Sequence, residues 1–111
     1  MRIAIPVTAD GHVEPRWGRA PMVAVATRGD DRQISDWVVH QVGWDIAHDE
    51  GTEGSHHARI VRFLRENEVE AVVVDHMGQG MLHTLEKMGL PVLRALSEDA
   101  RQAVVLAGGP A

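Results

Sequence analysis

The sequence of 111 residues predicts an α/β fold, a mixed five-stranded sheet flanked by three helices. Three observations carry that reading. Residues up to about 42 divide into three apolar, strand-like runs joined by short turns. From about residue 55 onward, amphipathic helical segments alternate with short apolar strands. Between the two regimes lies a polar, aperiodic stretch with three glycines, Gly43 to Ser55.

Taken in order, Arg2 to Val7 reads as a strand buried on both faces, with Pro6 near its end, where a missing N–H does least damage. Asp10-Gly11 marks a turn. Met22 to Thr27 forms the second strand, and Gly29-Asp30-Asp31 turns the chain into a third, over roughly Gln33 to Val42. A helix is expected from about Ser55 to Asn67, because Ile60, Val61 and Leu64 share a face. Residues 70–75 read as a central strand. Gly78 to Met88 reads as a helix striped by Met81, Leu82, Leu85 and Met88 and stopped by Gly89. Leu90 to Leu93 is a short strand. Ser97 is the expected N-cap of a last helix that buries Ala100, Ala103, Val104 and Ala107 and ends at Gly108-Gly109. A meander of three strands followed by right-handed crossovers gives the order of the ribonuclease-H-like motif. No repeat, linker or low-complexity tract interrupts it, so one domain over residues 1–111 is expected.

Composition narrows the function classes. A formal charge of −5 argues against broad binding to nucleic acid or anionic membranes. The absence of cysteine excludes disulfides, thiolate catalysis and thiolate-anchored iron–sulfur clusters. No apolar leader is visible and the longest apolar runs are far too short to span a bilayer, so a cytoplasmic protein is expected. The first strand carries no carboxylate, and Asp10 and Asp75 are too few for a two-metal nuclease site. Ser35, Ser55 and Ser97 lack the context of a nucleophile elbow.

The chemistry-bearing residues concentrate at one predicted edge. Arg16-Trp17-Gly18-Arg19-Ala20-Pro21 follows the first strand and holds more than a strand connection requires. Gly18 permits a tight path, and Arg16 and Arg19 are permanently charged, forked donors suited to anions. His48, His56, His57 and His76 are candidate metal ligands, because without cysteine imidazole is the strongest donor available to a transition-metal ion. His56 and His57 fall on the inward arc at a helix start. His76 ends the fourth strand, so these side chains should meet at the carboxyl edge of the parallel strands, where open α/β sheets bind ligands. His12, His40 and His83 read as ordinary loop, strand and surface residues. Gly54 and Gly78 precede helices whose free N–H groups suit an anion, although neither segment is a Walker loop. Asp75 and His76 are adjacent on a strand and therefore face opposite ways. Trp37 reads as strand core. Trp17 and Trp44 fall in loops, where they cover a ligand, form a self-association patch or fold over the sheet edge.

Several of these segments resemble the dinitrogenase iron–molybdenum cofactor biosynthesis family, the NifX-like and NifB C-terminal-like cluster-binding proteins. The resemblance rests on Ile3-Ala4-Ile5-Pro6-Val7, on Gly18-Arg19-Ala20-Pro21, on the glycine-bearing loop before the first helix, and on Val72-Val73-Val74-Asp75-His76-Met77-Gly78 with Gly89-Leu90-Pro91-Val92. Arg16 and Trp17 stand where that family's turn usually has His and Phe. The resemblance implies the ribonuclease-H-like order and non-catalytic binding or carriage of an iron–molybdenum or iron–sulfur type cluster, or its precursor. It also implies cofactor-assembly proteins as partners. A homodimer, and an enzyme or regulatory module taking a small organic anion in the same cleft, are the other readings the residues allow.

Overall fold

The computed structural model describes residues 1–47 and 52–108. Its strands are β1 (Arg2–Val7), β2 (Met22–Arg28), β3 (Ile34–Gln41), β4 (Ala71–Val74) and β5 (Val92–Arg94); its helices are α1 (Trp44–Ala47), α2 (Glu53–Glu66), α3 (Gln79–Lys87) and α4 (Ala100–Leu106). The sheet order is β3-β2-β1-β4-β5. β1–β2 and β2–β3 are antiparallel, while β1–β4 and β4–β5 are parallel, as the ribonuclease-H-like order requires.

Both faces of the central strands are buried, which explains why they read as continuous apolar runs. On one face Ala4, Val23, Val25, Val72 and Val74 pack with Ile60 and Leu64 of α2 and Met81 and Leu85 of α3. On the other, Ile3, Ile5, Val7, Ala24, Ala26 and Val73 pack with Ala100, Ala103, Val104 and Ala107 of α4. The small residues of α4 let it lie close to the sheet. Arg28 of β2 ties down its far end, donating from Nη1 to the carbonyls of Val104 at 2.8 Å and Ala107 at 2.9 Å. Burial, with Arg32 beside it, pulls that guanidinium below its ordinary pKa.

Pro6 lies fully buried in the middle strand of the sheet. Its backbone is turned towards β4, but the β1–β4 ladder runs only through Ile3↔Ala71 and Ala4↔Val72. By Pro6 the two strands have parted, so no ladder bond is lost, and the Pro6 carbonyl accepts instead from the Glu14 N–H at 2.9 Å. Residues 13–16 fill the gap. Val13 bridges to the end of β1 and Arg16 bridges in parallel to His76 just beyond β4.

Three local expectations change. α1 occupies part of the stretch that lacks a sequence period. Thr52 is the N-cap of α2, accepting from Ser55 N–H, so this helix starts two residues earlier than expected. Asp99, not Ser97, caps α4: its carboxylate accepts from Gln102 N–H at 2.8 Å, while Ser97 Oγ accepts from Asp99 N–H. The chain is fixed at this point by Ala100 N–H to Gly11 O and Val13 N–H to Glu98 O, which set where the helix can begin. Gly89, at φ +70°, follows α3 as expected; the Gly109 half of the terminal glycine pair lies outside the described residues.

Arg28→Met keeps much of the side chain's bulk but removes both bonds to the end of α4. Hydrogen bonds from a charged donor contribute about 1.5–3 kcal/mol, so the urea midpoint should fall by the equivalent of about that amount, with amide exchange in α4 accelerating more than in β1 or β4. An unchanged midpoint would show that α4 is held by its alanine face alone.

Candidate functional site

The parting of β1 and β4 opens the carboxyl edge of the sheet. Residues 13–16 divide this edge into two clefts. The first, about 550 Å³, is walled by Arg16, Trp17, Gly18 and Arg19 from the turn, by His56, His57 and Ile60 from α2, and by His76 with the 78–81 segment opening α3. Eight of the ten residues singled out in the sequence thus line one cavity. Gly54 is exposed and is not part of its wall. His48 lies outside the described residues.

The turn itself is a short 3₁₀ segment, Trp17–Arg19. Gly18 was expected to ease its path, yet an added Cβ there would meet only His56 Nε2, at an ordinary 3.8 Å, and its φ is not in the left-handed region. What Gly18 contributes is its carbonyl. His56 Nε2 donates to it at 2.7 Å, and Arg59 Nη1 lies 3.3 Å from His56 Nδ1. Since guanidinium can only donate, Nδ1 is the accepting nitrogen and Nε2 carries the proton. His56 is only 4% exposed. Both its ring nitrogens are engaged, so its place in the cleft is that of a bolt between α2 and the turn.

Trp17 and Trp44, read as loop tryptophans, are each 1% exposed. Their rings meet edge-on with centroids 5.2 Å apart, and Trp44 meets Phe63 of α2 in the same manner at 5.6 Å. Both rings fold over the sheet edge, one of the three roles open to them, and Trp17 also lines the cleft. The buried Trp17 Nε1 has no hydrogen-bond partner among the described residues. An unmet donor of this kind costs about 1–3 kcal/mol, and it belongs to a side chain in the cleft wall. Trp37 is only partly buried and lies under Arg101 of α4, 4.6 Å from the ring centroid.

The remaining polar groups of the cleft come from exposed positions. Arg16 is braced by Glu14, whose carboxylate accepts from Arg16 N at 3.2 Å and Nε at 3.5 Å. His76 is exposed and His57 partly so. Gly78, the N-cap of α3, offers no side-chain cap, which leaves the first amides of that helix to other acceptors. No three of the described histidines, aspartates and glutamates converge closely enough to hold a single metal ion. The cleft is therefore positively charged and donor-rich, and its described residues form no closed mononuclear cage.

The second cleft, about 610 Å³, has the opposite character, with Asp10, Asp75 and Glu98 in its wall beside His12. The Thr8 hydroxyl donates to Asp10; this bond, a backbone bond and the nearby His12 hold the Asp10 carboxyl below its usual pKa. Asp75 and His76 thus face different clefts, as their adjacency on a strand end predicts.

Compared with known proteins, residues 1–107 match the family described as dinitrogenase iron-molybdenum cofactor. No curated protein matches the sequence. Among solved structures, the fold is similar to that of PH0822, with a TM-score of 0.71 and 16% identity over 94% of this chain and 86% of that one. It is also similar to the apo form of the orange protein from Desulfovibrio gigas, with a TM-score of 0.70 and 24% identity over 93% of this chain and 82% of that one. A Thermotoga protein, TM1290, has a TM-score of 0.67 and 24% identity over 93% and 83% of the two chains. At these identities the structures show a shared fold.

Replacing His56 with Ala leaves the Gly18 carbonyl and Arg59 without their partner, so a loss of about 1–3 kcal/mol in denaturant stability is expected. Tryptophan emission should shift to longer wavelength as Trp17 and Trp44 gain water. His56→Gln, whose amide can donate and accept, should recover part of both signals. A His56→Ala variant with native emission and stability would show that the turn is held by ring packing alone.

Proposed function

Since the chain belongs to the dinitrogenase iron-molybdenum cofactor family, we propose that the first cleft binds an anionic metal cluster of the iron–molybdenum type, or a precursor of one, and carries it without chemical turnover. The observation that carries this reading is the meeting of Arg16 and Arg19 with His57, His76 and the uncapped start of α3 around one cavity. Guanidinium and helix amides suit the periphery of a polyanion, and imidazole suits its exposed metal atoms. Spread donors, with no three-residue cage among the described residues, favour a polynuclear cargo over a single ion. No carboxylate or hydroxyl side chain is found among the described residues lining the cleft, so its imidazoles have no carboxylate to orient them and no hydroxyl to activate, which favours carriage over catalysis. Without thiolates the cargo is held by weaker donors, which suits handing it on to cofactor-assembly proteins.

Untagged protein from cells grown with added iron and molybdate should retain these metals above the level of a control protein by elemental analysis. His57→Ala/His76→Ala should lose most of the metal with the far-UV circular dichroism unchanged. Arg16→Ala/Arg19→Ala should weaken retention by roughly tenfold or more, the value of one lost charge-assisted bond. Because imidazole binds metal only when neutral, retention should fall as the buffer is taken from about pH 8 to about pH 5. Arginine keeps its charge throughout that range. Full retention by the double-histidine variant, flat across the same range, would overturn imidazole ligation and leave the arginine corner as a plain anion site.

A further inference from the structure

β3 forms one edge of the sheet. Its eight residues hold a single carboxylate, Asp36, and no Lys, Arg, Pro or Gly, the residues that usually protect an edge from pairing. Val38 and Val39 are adjacent, so they face opposite sides of the sheet, and each is 45% exposed. Neither helix layer covers them. We propose that β3 pairs antiparallel with β3 of a second copy, joining two sheets into one across a two-fold axis centred on Val38.

The register follows from symmetry and side-chain chemistry. His40 packs edge-on against Phe63 of α2 at 5.2 Å, and Trp37 lies beneath Arg101 of α4. Asp36, Val38 and His40 therefore share the α2 face, with Trp37 and Val39 on the α4 face. A two-fold axis extending a sheet stands perpendicular to it, so directly opposed residues share a face. Centring on Val38 sets Asp36 of each copy opposite His40 of the other, and Trp37 opposite Val39. An acid then meets a basic side chain on one face, and an aromatic ring meets a β-branched side chain on the other. Centring on Trp37 instead opposes Asp36 to Val38, and centring on Val39 opposes it to Val42. Only the Val38 register gives the carboxylate a complementary partner. Arg59, Arg62 and Glu66 line the groove beside His40, so the arriving Asp36 enters a region with more positive than negative side chains.

The backbone agrees. Arg28 N–H bonds to Met1 O at 2.8 Å, so alternate β2 residues from Arg28 turn their peptide groups to β1 and the others turn theirs to β3. Thr27, Val25 and Val23 pair with Asp36, Val38 and His40. The peptide groups of Trp37 and Val39 consequently face outward, and in the proposed register each exchanges both bonds with the other residue of the second copy. A single strand pair belongs to the small class of interfaces, below about 1,200 Å², so association should be reversible. β3 runs parallel to β1, which places the two cargo clefts at opposite ends of the joined sheet; the inference does not depend on what those clefts bind.

Sedimentation velocity from low to high micromolar protein should show a monomer giving way to a dimer. Val38→Lys places two like charges across the axis, and Val39→Pro removes an outward N–H without touching the β2 ladder; each should remain monomeric with an unchanged melting curve. Asp36→His and His40→Asp should each weaken dimerisation by about tenfold, while the double variant, which restores the opposed pair, should regain it. A monomer at every concentration, or a dimer surviving both Val38→Lys and Val39→Pro, would overturn the proposal. A double variant no better than its parents would overturn the register.

Discussion

The hydrogen bond from His56 to the Gly18 carbonyl, at 2.7 Å, is the constraint on which the rest of the site depends. It spans 38 residues of sequence and joins the meander half of the chain to the first crossover helix. On one side of it lie the Trp17, Trp44 and Phe63 rings, whose packing closes the core beneath the turn. On the other side lie the arginines flanking Gly18. An apolar residue at position 56 could fill the same space but could not satisfy a carbonyl at the core boundary, and burying an unpaired carbonyl is costly. The histidine therefore fixes both the height of the turn above the sheet and the direction in which α2 leaves the cleft.

A second constraint makes the edge worth closing. β1 and β4 are held together only at their first residues, and Pro6 forbids a further ladder bond where they part. The segment inserted between them separates a basic cleft from an acidic one. Asp75 and His76, consecutive at the end of β4, serve one cleft each. Under the proposed function that division matters electrostatically: the chain is acidic as a whole, with a formal charge of −5, and an anionic cargo is attracted only where local positive groups outweigh that background.

Much of this was legible in the sequence because it follows from periodicity. The buried runs of β1 and β4, the Met81–Leu85 stripe and the alanine face of α4 all declare their partners by spacing, and strand order then follows from handed crossovers. The convergence of the turn, the first residues of α2 and the end of β4 follows from the same topology. Features fixed by long-range contacts were not legible. Ser97 and Asp99 are both good caps, and bonds from residues 98–100 to the 11–13 turn, far away in sequence, decide between them. Nothing local marks Trp44 as the opening of a four-residue helix, since its burial depends on Trp17 and Phe63. The role of His56 was hidden for the same reason: a helix-start histidine reads as a ligand until the carbonyl opposite it is known.

The substitution of Arg16 and Trp17 for the His and Phe usual in the resembling family's turn acquires a physical reading in this frame. A guanidinium has no lone pair to give a metal, so position 16 can supply charge and hydrogen bonds but not ligation. The backbone bridge between Arg16 and His76 nevertheless brings an imidazole-bearing residue from beyond β4 beside the turn. Trp17 preserves the buried aromatic body that Phe would provide and adds an N–H that finds no acceptor among the described residues. The added cation at position 16 is a change towards binding an anion with outward-facing acceptor atoms. In the proposed carrier the turn would then hold the periphery of the cargo, while His57 and His76 reach its metal atoms. This separates recognition of charge from ligation, and it leaves the strength of metal binding to two imidazoles at the cleft wall.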